Sequence, residues 1–551
     1  MKKSLRFALL PIVIAFAAGA FSFRYIAPLL TTPQVQSATA LMGLEMTDTE
    51  IDSLLPNLED ARESYDALRK NEIPNSLRPA LQFNPIPTGF ELPIGQDRME
   101  FEKLKAVKLP KDQELLAFYT VRELAELIRT KKVTSVELTK FFIARLKKYD
   151  PTLHCVITYT EELALAQAAK ADAEIENGDY KGGLHGIPYG AKDLLATRQY
   201  KTTWGAAPYK EQSFDYDATV IQKLEEAGAI LVAKLSMGAL AWGDVWFGAK
   251  TRNPWDPTSG SSGSSAGSAS AVSAGLLPFA IGTETLGSIV SPSTVCGTTG
   301  LRPTFGRVSK FGAMALSWSM DKIGPICRSA EDCAAVFAAI AGADGKDPSV
   351  IEAPIRYAAT LANPKLLKVG YHKSAFDRNY PFKTQDSLAL QTLRNLGYQL
   401  IPIELPQMPD IGLILSVEAA AAFDELTRTG KDDQLVRQIR NAWPNVFRAA
   451  RFVPAVEYIQ ANRLRTQLKE DMTSVFEEVD LYVHPSWASS SLRITNYTGH
   501  PCVVVPNGFR EDGKPTSITF TGQLFDEGKI LALAAAFQKA TAWDDKHPSL
   551  D

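Results

Sequence analysis

The sequence predicts an α/β domain, because amphipathic helices alternate along it with short apolar strands. The clearest helices lie in "YTVRELAELIRTKKVTSVELTKFFIARLKKYDP", where Leu124, Leu127, Leu138 and Phe142 recur at helical spacing. The segments "AILVAKL" and "CVVVPNGF" are typical of buried strands.

The remaining elements follow in order along the chain. Thr120 and Ser135 are suited to cap the first two helices, and Pro151 is expected to end the second. "HCVITYT" predicts a strand, 161–177 an Ala-rich helix, and "ATVIQKLEEAG" a helix that Gly228 ends before "AILVAKL". "KVGYH" and "LYVHP" predict further strands, and no internal boundary is evident between 116 and 545.

The chain before this domain is of two kinds. Residues 24–115 are irregular and rich in proline, which predicts an extension that wraps a larger domain, with a helix near 48–71. Residues 1–23 combine Lys2, Lys3 and Arg6 with an apolar run and the small residues Ala18-Gly19-Ala20. This pattern predicts a secretory signal peptide, with an uncleaved membrane anchor as the alternative, and therefore a protein exported to the periplasm or cell envelope.

Composition excludes several classes of protein. The 59 basic and 62 acidic residues give a net charge of −3, so no electrostatic footprint for nucleic acid is present. The five cysteines are widely scattered and match neither a disulfide framework nor a zinc site; Cys327 and Cys333 are the one plausible pair, and buried free thiols are the expected state.

The stretch "GSSGSSAGSASAVSAG", residues 260–275, is open to three interpretations: a linker, a phosphate loop or a catalytic loop. Its flanks are rich in structure-forming residues, which disfavours a linker. No Gly-Lys-Ser/Thr ending or Gly-x-Gly-x-x-Gly pattern supports a phosphate loop. A catalytic serine needs a base, and Lys192 in "GLHGIPYGAKDLLATRQ" is a candidate if burial depresses its pKa. His185 in the same segment is expected to be structural.

Several motifs together resemble the amidase signature family. "GIPYGAKD", "GSSAGSASAVSAG" and "GTETLGSIVSPSTVCGTTGLRPTFGRVS" occur in the family's order and spacing, and "NPWDP", "DKIGPICRSAEDCA" and "NYTGHPCVVVPNGF" are also similar. The resemblance covers residues 116 to about 540. It implies a single catalytic domain over 116–545, with a central mixed β-sheet covered by helices on both faces.

The family's Ser-cisSer-Lys triad is carried over residue by residue. The resemblance implies Ser288 as the nucleophile, Ser264 as the bridging serine after a cis Gly263–Ser264 peptide, and Lys192 as the base. Ser261 and Ser262 are not the bridging serine on this alignment. The backbone N–H groups of Thr285, Leu286, Gly287 and Ser288 are implied to form an oxyanion hole.

This sequence departs from the commonest family pattern at four positions, Glu284, Leu286, Val290 and Ala266. Val290 stands where the family usually has an arginine that pairs with the acidic residue, so Glu284 must find another partner. None of the four departures removes a catalytic group, but together they leave the substrate open.

The resemblance therefore implies an exported serine amidohydrolase that acts on a small-molecule or peptide carboxamide, with no metal, no organic cofactor and no nucleic-acid partner. Two alternatives stay open: an enzyme like the A subunit of glutamyl-tRNA amidotransferase, and a catalytically silent binding protein on the same fold. The signal-like N-terminus disfavours the first, and the intact Lys-Ser-Ser set disfavours the second. Oligomeric state is not predicted.

Overall fold

The computed structural model describes residues 30–550, and its contacts divide the chain into two compact units, Met1–Pro74 and Asn75–Asp551. The predicted signal peptide or anchor, residues 1–23, lies outside the described residues. Among the helices of residues 30–550, none has both the length and the apolar character that a membrane crossing requires.

The described part of the first unit consists of two helices, α1 (Thr32–Leu41) and α2 (Asp48–Leu68). The second confirms the helix predicted near 48–71. Thr47 caps it, because its hydroxyl accepts from the N–H of Glu50 at 3.3 Å while the Glu50 carboxylate accepts from the N–H of Thr47 at 2.7 Å. The exchange satisfies two amide groups that the helix itself leaves without partners.

The second unit alternates helices and strands, as predicted. Its helices are α3 (Val121–Arg129), α4 (Ser135–Leu153), α5 (Glu161–Glu176), α6 (Thr219–Glu226), α7 (Ala266–Ser273), α8 (Val290–Cys296), α9 (Ala330–Ile340), α10 (Lys373–Asp377), α11 (Lys383–Asn395), α12 (Leu413–Ala422), α13 (Asp424–Arg428), α14 (Trp443–Ala450), α15 (Ala455–Glu478), α16 (Ser491–Thr498) and α17 (Glu527–Thr541). Its strands are β1 (Arg98–Glu100), β2 (Val156–Tyr159), β3 (Pro188–Lys192), β4 (Ile230–Leu235), β5 (Arg252–Asn253), β6 (Asp256–Gly260), β7 (Phe279–Glu284), β8 (Thr299–Arg302), β9 (Lys322–Cys327), β10 (Arg356–Ala358), β11 (Val369–His372), β12 (Leu400–Ile403), β13 (Leu481–Pro485), β14 (Cys502–Phe509) and β15 (Pro515–Gly522).

One sheet of 11 strands forms the centre of this unit, in the order β12-β11-β13-β15-β14-β8-β9-β7-β3-β4-β2. Strands β7, β3 and β4 run parallel, whereas β14, β8 and β9 pair antiparallel with their neighbours. The sheet is therefore mixed and is flanked by helices, which confirms the predicted fold class. Strands β4 and β9 are buried at every residue, as expected for strands covered on both faces.

Two predicted helix boundaries are wrong by a few residues. Thr134, not Ser135, caps α4, because the Ser135 hydroxyl donates instead to the carbonyl of Gly186 at 2.9 Å. The helix also continues past Pro151 to Leu153. A proline in the last turn removes only one hydrogen bond, and the helix ends where His154 adopts a left-handed conformation with φ of 51°.

Residues 75–115 precede α3 and pack on the rest of the larger unit. Strand β1 pairs in parallel with β10, and Phe83 meets Phe305 edge-on at 5.2 Å. Contacts therefore assign residues 75–115 to the same unit as the sheet. The predicted functional boundary between extension and catalytic domain at 115/116 stays a prediction.

Candidate active site

The candidate site lies where β3 and β7 end. These neighbouring strands are parallel, so their carboxyl ends share one edge of the sheet. Lys192 is the last residue of β3 and Glu284 the last of β7. The turn 285–289 leads from β7 into α8, and the glycine-serine loop leads into α7. Residues 266–273 of the glycine-serine stretch form α7, which is buried at all eight positions, so the stretch is not a linker.

Lys192 is fully buried among hydroxyl groups. Its Nζ donates to Ser264 Oγ at 2.7 Å, to Ser265 Oγ at 3.1 Å and to Thr283 Oγ1 at 2.9 Å. No carboxylate of residues 30–550 forms an ion pair with it. Burial lowers the pKa of Lys192 to about 7, against the opposite influence of more distant Asp321 and Glu284. The amine is therefore able to act as a base near neutral pH.

The loop that carries Ser264 is attached to β7 by its neighbour Ser265. Ser265 Oγ accepts from the N–H of Thr283 and donates to the carbonyl of Thr283, both at 3.1 Å. The Gly263–Ser264 peptide is cis, as the resemblance implies. A Cβ on Gly263 would lie 1.9 Å from the carbonyl oxygen of Gly243, so only glycine fits at this close approach.

Ser288 lies in the segment beside Ser264. Its carbonyl accepts from the N–H of Ser265 at 3.2 Å, and the residue is 8% exposed. Within the described chain the Ser288 hydroxyl makes no hydrogen bond, either to Ser264 or to any other group. The structure thus joins Lys192 to Ser264 directly and brings Ser288 next to them with its hydroxyl uncommitted.

The turn before Ser288 presents backbone donors. Across residues 30–550, no acceptor takes the N–H groups of Thr285, Leu286, Gly287 or Ser288. Gly287 has a φ of 87°, a conformation that side chains other than glycine rarely adopt. Free N–H groups in the turn that carries the serine are the donors from which an oxyanion hole can be built.

Glu284 fixes the far side of this turn. Its Oε2 accepts from the N–H groups of Ile289 and Val290 at 2.8 and 3.0 Å, and its Oε1 accepts from Arg302 at 2.8 Å. Asn496 adds a bond at 2.8 Å. Burial opposes ionisation of Glu284, but Arg302 and these donors prevail and lower its pKa to about 2. Arg302 on β8 therefore replaces the arginine that is missing at Val290.

Three other residues of the two motifs lie outside the Lys192 cluster. His185 precedes β3 at the opposite end of the strand, where its Nε2 bonds Glu174 at 3.0 Å and its Nδ1 accepts from the N–H of Lys181 at 3.1 Å. Ser262 pairs with Ser291 at 3.0 Å, and Ser261 donates to the carbonyl of Ser262 at 3.1 Å. Neither serine contacts Lys192.

Sequence reasoning missed three members of the site: Ser265, Thr283 and Asp321. Asp321 accepts from the Thr285 hydroxyl at 2.6 Å and from the N–H groups of Leu316 and Ser317. It stands in the motif "DKIGPICRSAEDCA", which was the one available signal for it. Ser265 and Thr283 were hidden because they are small hydroxyl residues inside motifs already assigned to their neighbours.

Residues 30–550 contain no group of three or more His, Cys, Asp or Glu side chains arranged to hold a metal ion. All five cysteines are buried free thiols, as expected from their spacing.

The α/β fold and a buried Lys-Ser pair beside a turn of free amides define a serine amidohydrolase. The chain belongs to the amidase signature family: the model of the Amidase family matches residues 137–498. The A subunit of glutamyl-tRNA(Gln) amidotransferase from Coxiella burnetii is 32% identical, over 78% of this chain and 99% of its own. The solved peptide amidase of Stenotrophomonas maltophilia is 28% identical, with a TM-score of 0.69 over 78% of this chain and 98% of its own. An amidase family protein of Bacillus anthracis is 25% identical, with a TM-score of 0.71 over 79% of this chain and 93% of its own.

Proposed function

We propose that this enzyme hydrolyses a small-molecule or peptide carboxamide through an acyl-enzyme on Ser288, with Ser264 and Lys192 as its proton relay. The observation that carries the proposal is the 2.7 Å hydrogen bond between Lys192 Nζ and Ser264 Oγ in a fully buried setting. A lysine that has lost its charge there takes up a proton at neutral pH, which a surface lysine does not.

The proposed reaction moves one proton in and out of the lysine. As Ser288 Oγ bonds to the carbonyl carbon, its proton passes to Ser264, and the Ser264 proton passes to Lys192. The carbonyl π electrons move to the oxygen, where the N–H groups of the 285–288 turn hold the negative charge. When the C–N bond breaks, the relay runs in reverse and protonates the leaving nitrogen. Water then cleaves the acyl-enzyme by the same steps and restores Ser288.

Labelling with a fluorophosphonate tests the nucleophile. We expect the wild type to be labelled at Ser288, and Ser288→Ala to lose both labelling and amide hydrolysis, the latter by several powers of ten. Ser262→Ala is the matched control, because it removes a nearby loop serine that does not contact Lys192. Full labelling of Ser288→Ala would refute Ser288 as the nucleophile, whereas absence of labelling in the wild type would refute the proposal and favour a silent binding protein.

We further propose that the enzyme works outside the cytoplasm, either released or held by an N-terminal anchor. The support is the sequence of residues 1–23, with its basic start, apolar run and Ala-Gly-Ala site. Fractionation of cells that produce the full-length chain tests this. A wholly cytoplasmic protein would overturn it and would favour the tRNA-dependent amidotransferase function, which the 32% identity to that enzyme's A subunit keeps as the second candidate.

A further inference from the structure

A cavity of about 300 Å³ opens beside the candidate site. Thr283 and Thr285 form part of its wall. Thr283 accepts a hydrogen bond from Lys192, and Thr285 belongs to the turn of free amides, so the cavity borders both the proposed base and the proposed oxyanion hole. Its volume lies at the lower end of the range of small-molecule pockets. The cavity is thus the candidate space for the rest of a substrate whose amide lies at Ser288.

The cavity wall carries an excess of positive side chains. Arg78, Lys310, Lys322 and Lys346 line it, and Asp321 is the one acidic residue among the lining side chains. The Asp321 carboxylate already accepts three hydrogen bonds, from Thr285, Leu316 and Ser317. A single carboxylate with this many donors does not pair with four basic side chains.

Arg78 has its own partners. It forms an ion pair with Asp347 at 2.6 Å and donates to Ser349 Oγ at 3.0 Å. Asp347 also accepts from the backbone N–H of Lys310 at 2.7 Å. Arg78 is therefore neutralised in place. The Asp347 carboxylate bonds to Arg78, Ser349 and a backbone amide, and it attracts the Lys310 charge without forming an ion pair with it.

Lys310 and Lys322 are buried without a carboxylate partner. Lys310 is 8% exposed; its Nζ lies 3.9 Å from the centre of the Phe305 ring and 3.5 Å from the carbonyl of Trp318. Lys322 is 3% exposed and, among residues 30–550, donates only to the carbonyl of Met320. Neither forms an ion pair within residues 30–550. Burial lowers the pKa of Lys310 to about 8 and that of Lys322 well below its usual range.

Charging two buried amines on one cavity wall costs free energy unless an anion pairs with them. An anionic group of the substrate restores the charge balance and receives charge-assisted hydrogen bonds. Apolar side chains, among them Leu194, Met314 and Ile323, complete the wall and match a short hydrocarbon spacer.

We infer that the substrate is an amide that carries a carboxylate, which Lys310 and Lys322 bind in this cavity while the amide lies at Ser288. This inference rests on the proposed function and names the substrate class of the same site. Part of the specificity would come from outside the region that the family model matches, because Ser76, Arg78 and Gln82 precede residue 137.

Matched amide pairs test the inference. Succinamate, glutaramate and adipamate are each compared with the corresponding diamide, in which an uncharged carboxamide replaces the carboxylate, and ammonia release is measured. We expect the acid of fitting length to exceed its diamide in kcat/KM by about tenfold or more. Lys310→Met and Lys322→Met should each reduce this ratio about tenfold, and Lys310→Arg should retain most of it.

Lys201→Met is the control, because Lys201 pairs with Glu211 on the surface and should leave the ratio unchanged. An enzyme that hydrolyses the diamides as well as the acids refutes the inference and leaves the proposed function intact, as does a ratio that survives in both methionine variants.

A second measurement covers an enzyme that is labelled at Ser288 but hydrolyses none of these compounds. Glutarate and adipate should then slow fluorophosphonate labelling, and the diamides should not. Failure of both acids to protect refutes the inference, while loss of labelling itself refutes the proposed function.

Discussion

Two buried lysines on adjacent strands have opposite surroundings. Lys192 is the last residue of β3. Lys234 lies on β4 and pairs in register with Ala191, the residue that precedes Lys192. Neither has any solvent exposure. Lys234 Nζ pairs with Asp193 at 3.0 Å and donates to Thr202 Oγ1 at 2.9 Å, whereas Lys192 meets hydroxyl groups and no carboxylate.

Burial lowers the pKa of both lysines, but at Lys234 the charge and hydrogen bond of Asp193 oppose the shift directly, whereas Lys192 has no carboxylate in contact. Asp193 follows Lys192 directly, but its side chain turns away, where Lys234, the Thr203 hydroxyl and the Thr203 N–H hold it. A carboxylate turned toward Lys192 would stabilise the ammonium and raise its pKa. Lys234 and Thr203 together hold the Asp193 carboxylate in this position, away from Lys192.

Among the variants that test the contrast between the two lysines, Lys192→Ala is expected to reduce activity most. Without the base, we expect kcat/KM to fall by about 100- to 10,000-fold. In the wild type, kcat/KM should rise with pH through an apparent pKa near 7, because the lysine must lose its proton to act. That value belongs to the coupled Lys-Ser-Ser unit. The variant should lose this limb; a pH–rate profile in which the limb persists would exclude Lys192 as the base.

Lys234→Met tests the other half of the comparison. It leaves Asp193 buried without a counter-ion, so we expect the free energy of unfolding to fall by about 3–5 kcal/mol. In the fraction that remains folded, the pH limb of the rate should persist. Lys201→Met removes an exposed ion pair with Glu211 instead, and should cost far less because water screens that pair. Equal losses in the two variants, measured by urea unfolding, would contradict the assigned role of the Lys234–Asp193 pair.

Local sequence patterns were enough to predict much of the fold and part of the site. Alternating helices and strands follow from periodicity, and the Lys192, Ser264 and Ser288 segments follow from motifs within a few residues of each functional group. The hydrogen bond between Lys192 and Ser264 joins residues 72 positions apart, and only the family resemblance predicted it.

What the sequence left out depends on contacts between distant strands and helices. Arg302 reaches Glu284 from β8 and Asn496 reaches it from α16, 212 positions away. Neither has a local pattern that distinguishes it from other polar residues. The charge of the cavity was hidden for the same reason, since Lys310 and Lys322 read as ordinary surface lysines until their burial is known.

Comparing the stability of the wild type with that of Lys192→Met at several pH values tests whether Lys192 is neutral in the folded protein. The folded protein holds the pKa of Lys192 near 7, and the unfolded chain has a value of about 10.4. Between these values the unfolded state binds one more proton, so the free energy of unfolding rises with pH. From pH 7 to 9, the wild type should gain up to about 1.4 kcal/mol per pH unit relative to Lys192→Met. The Lys234–Asp193 pair is common to both proteins and cancels. Urea unfolding at several pH values measures the difference, and a flat one would mean that Lys192 keeps its proton in the folded state.

The smallest effect on rate is expected from His185→Ala. This variant tests whether the buried histidine, and not Lys192, is the catalytic base. His185 precedes β3 and Lys192 is its last residue, so the length of the strand, at about 3.3 Å per residue, separates the two side chains. Burial lowers the pKa of His185 below its usual value, despite the hydrogen bond that its Nε2 donates to Glu174, so its titration lies below the expected limb near 7. The substitution removes the bonds to Glu174 and to the N–H of Lys181, which should cost about 1–3 kcal/mol of stability. The pH–rate profile of the folded variant should keep the wild-type limb. Loss of the limb in His185→Ala, together with its survival in Lys192→Ala, would make histidine the base and leave the contrast between the two lysines without a catalytic meaning.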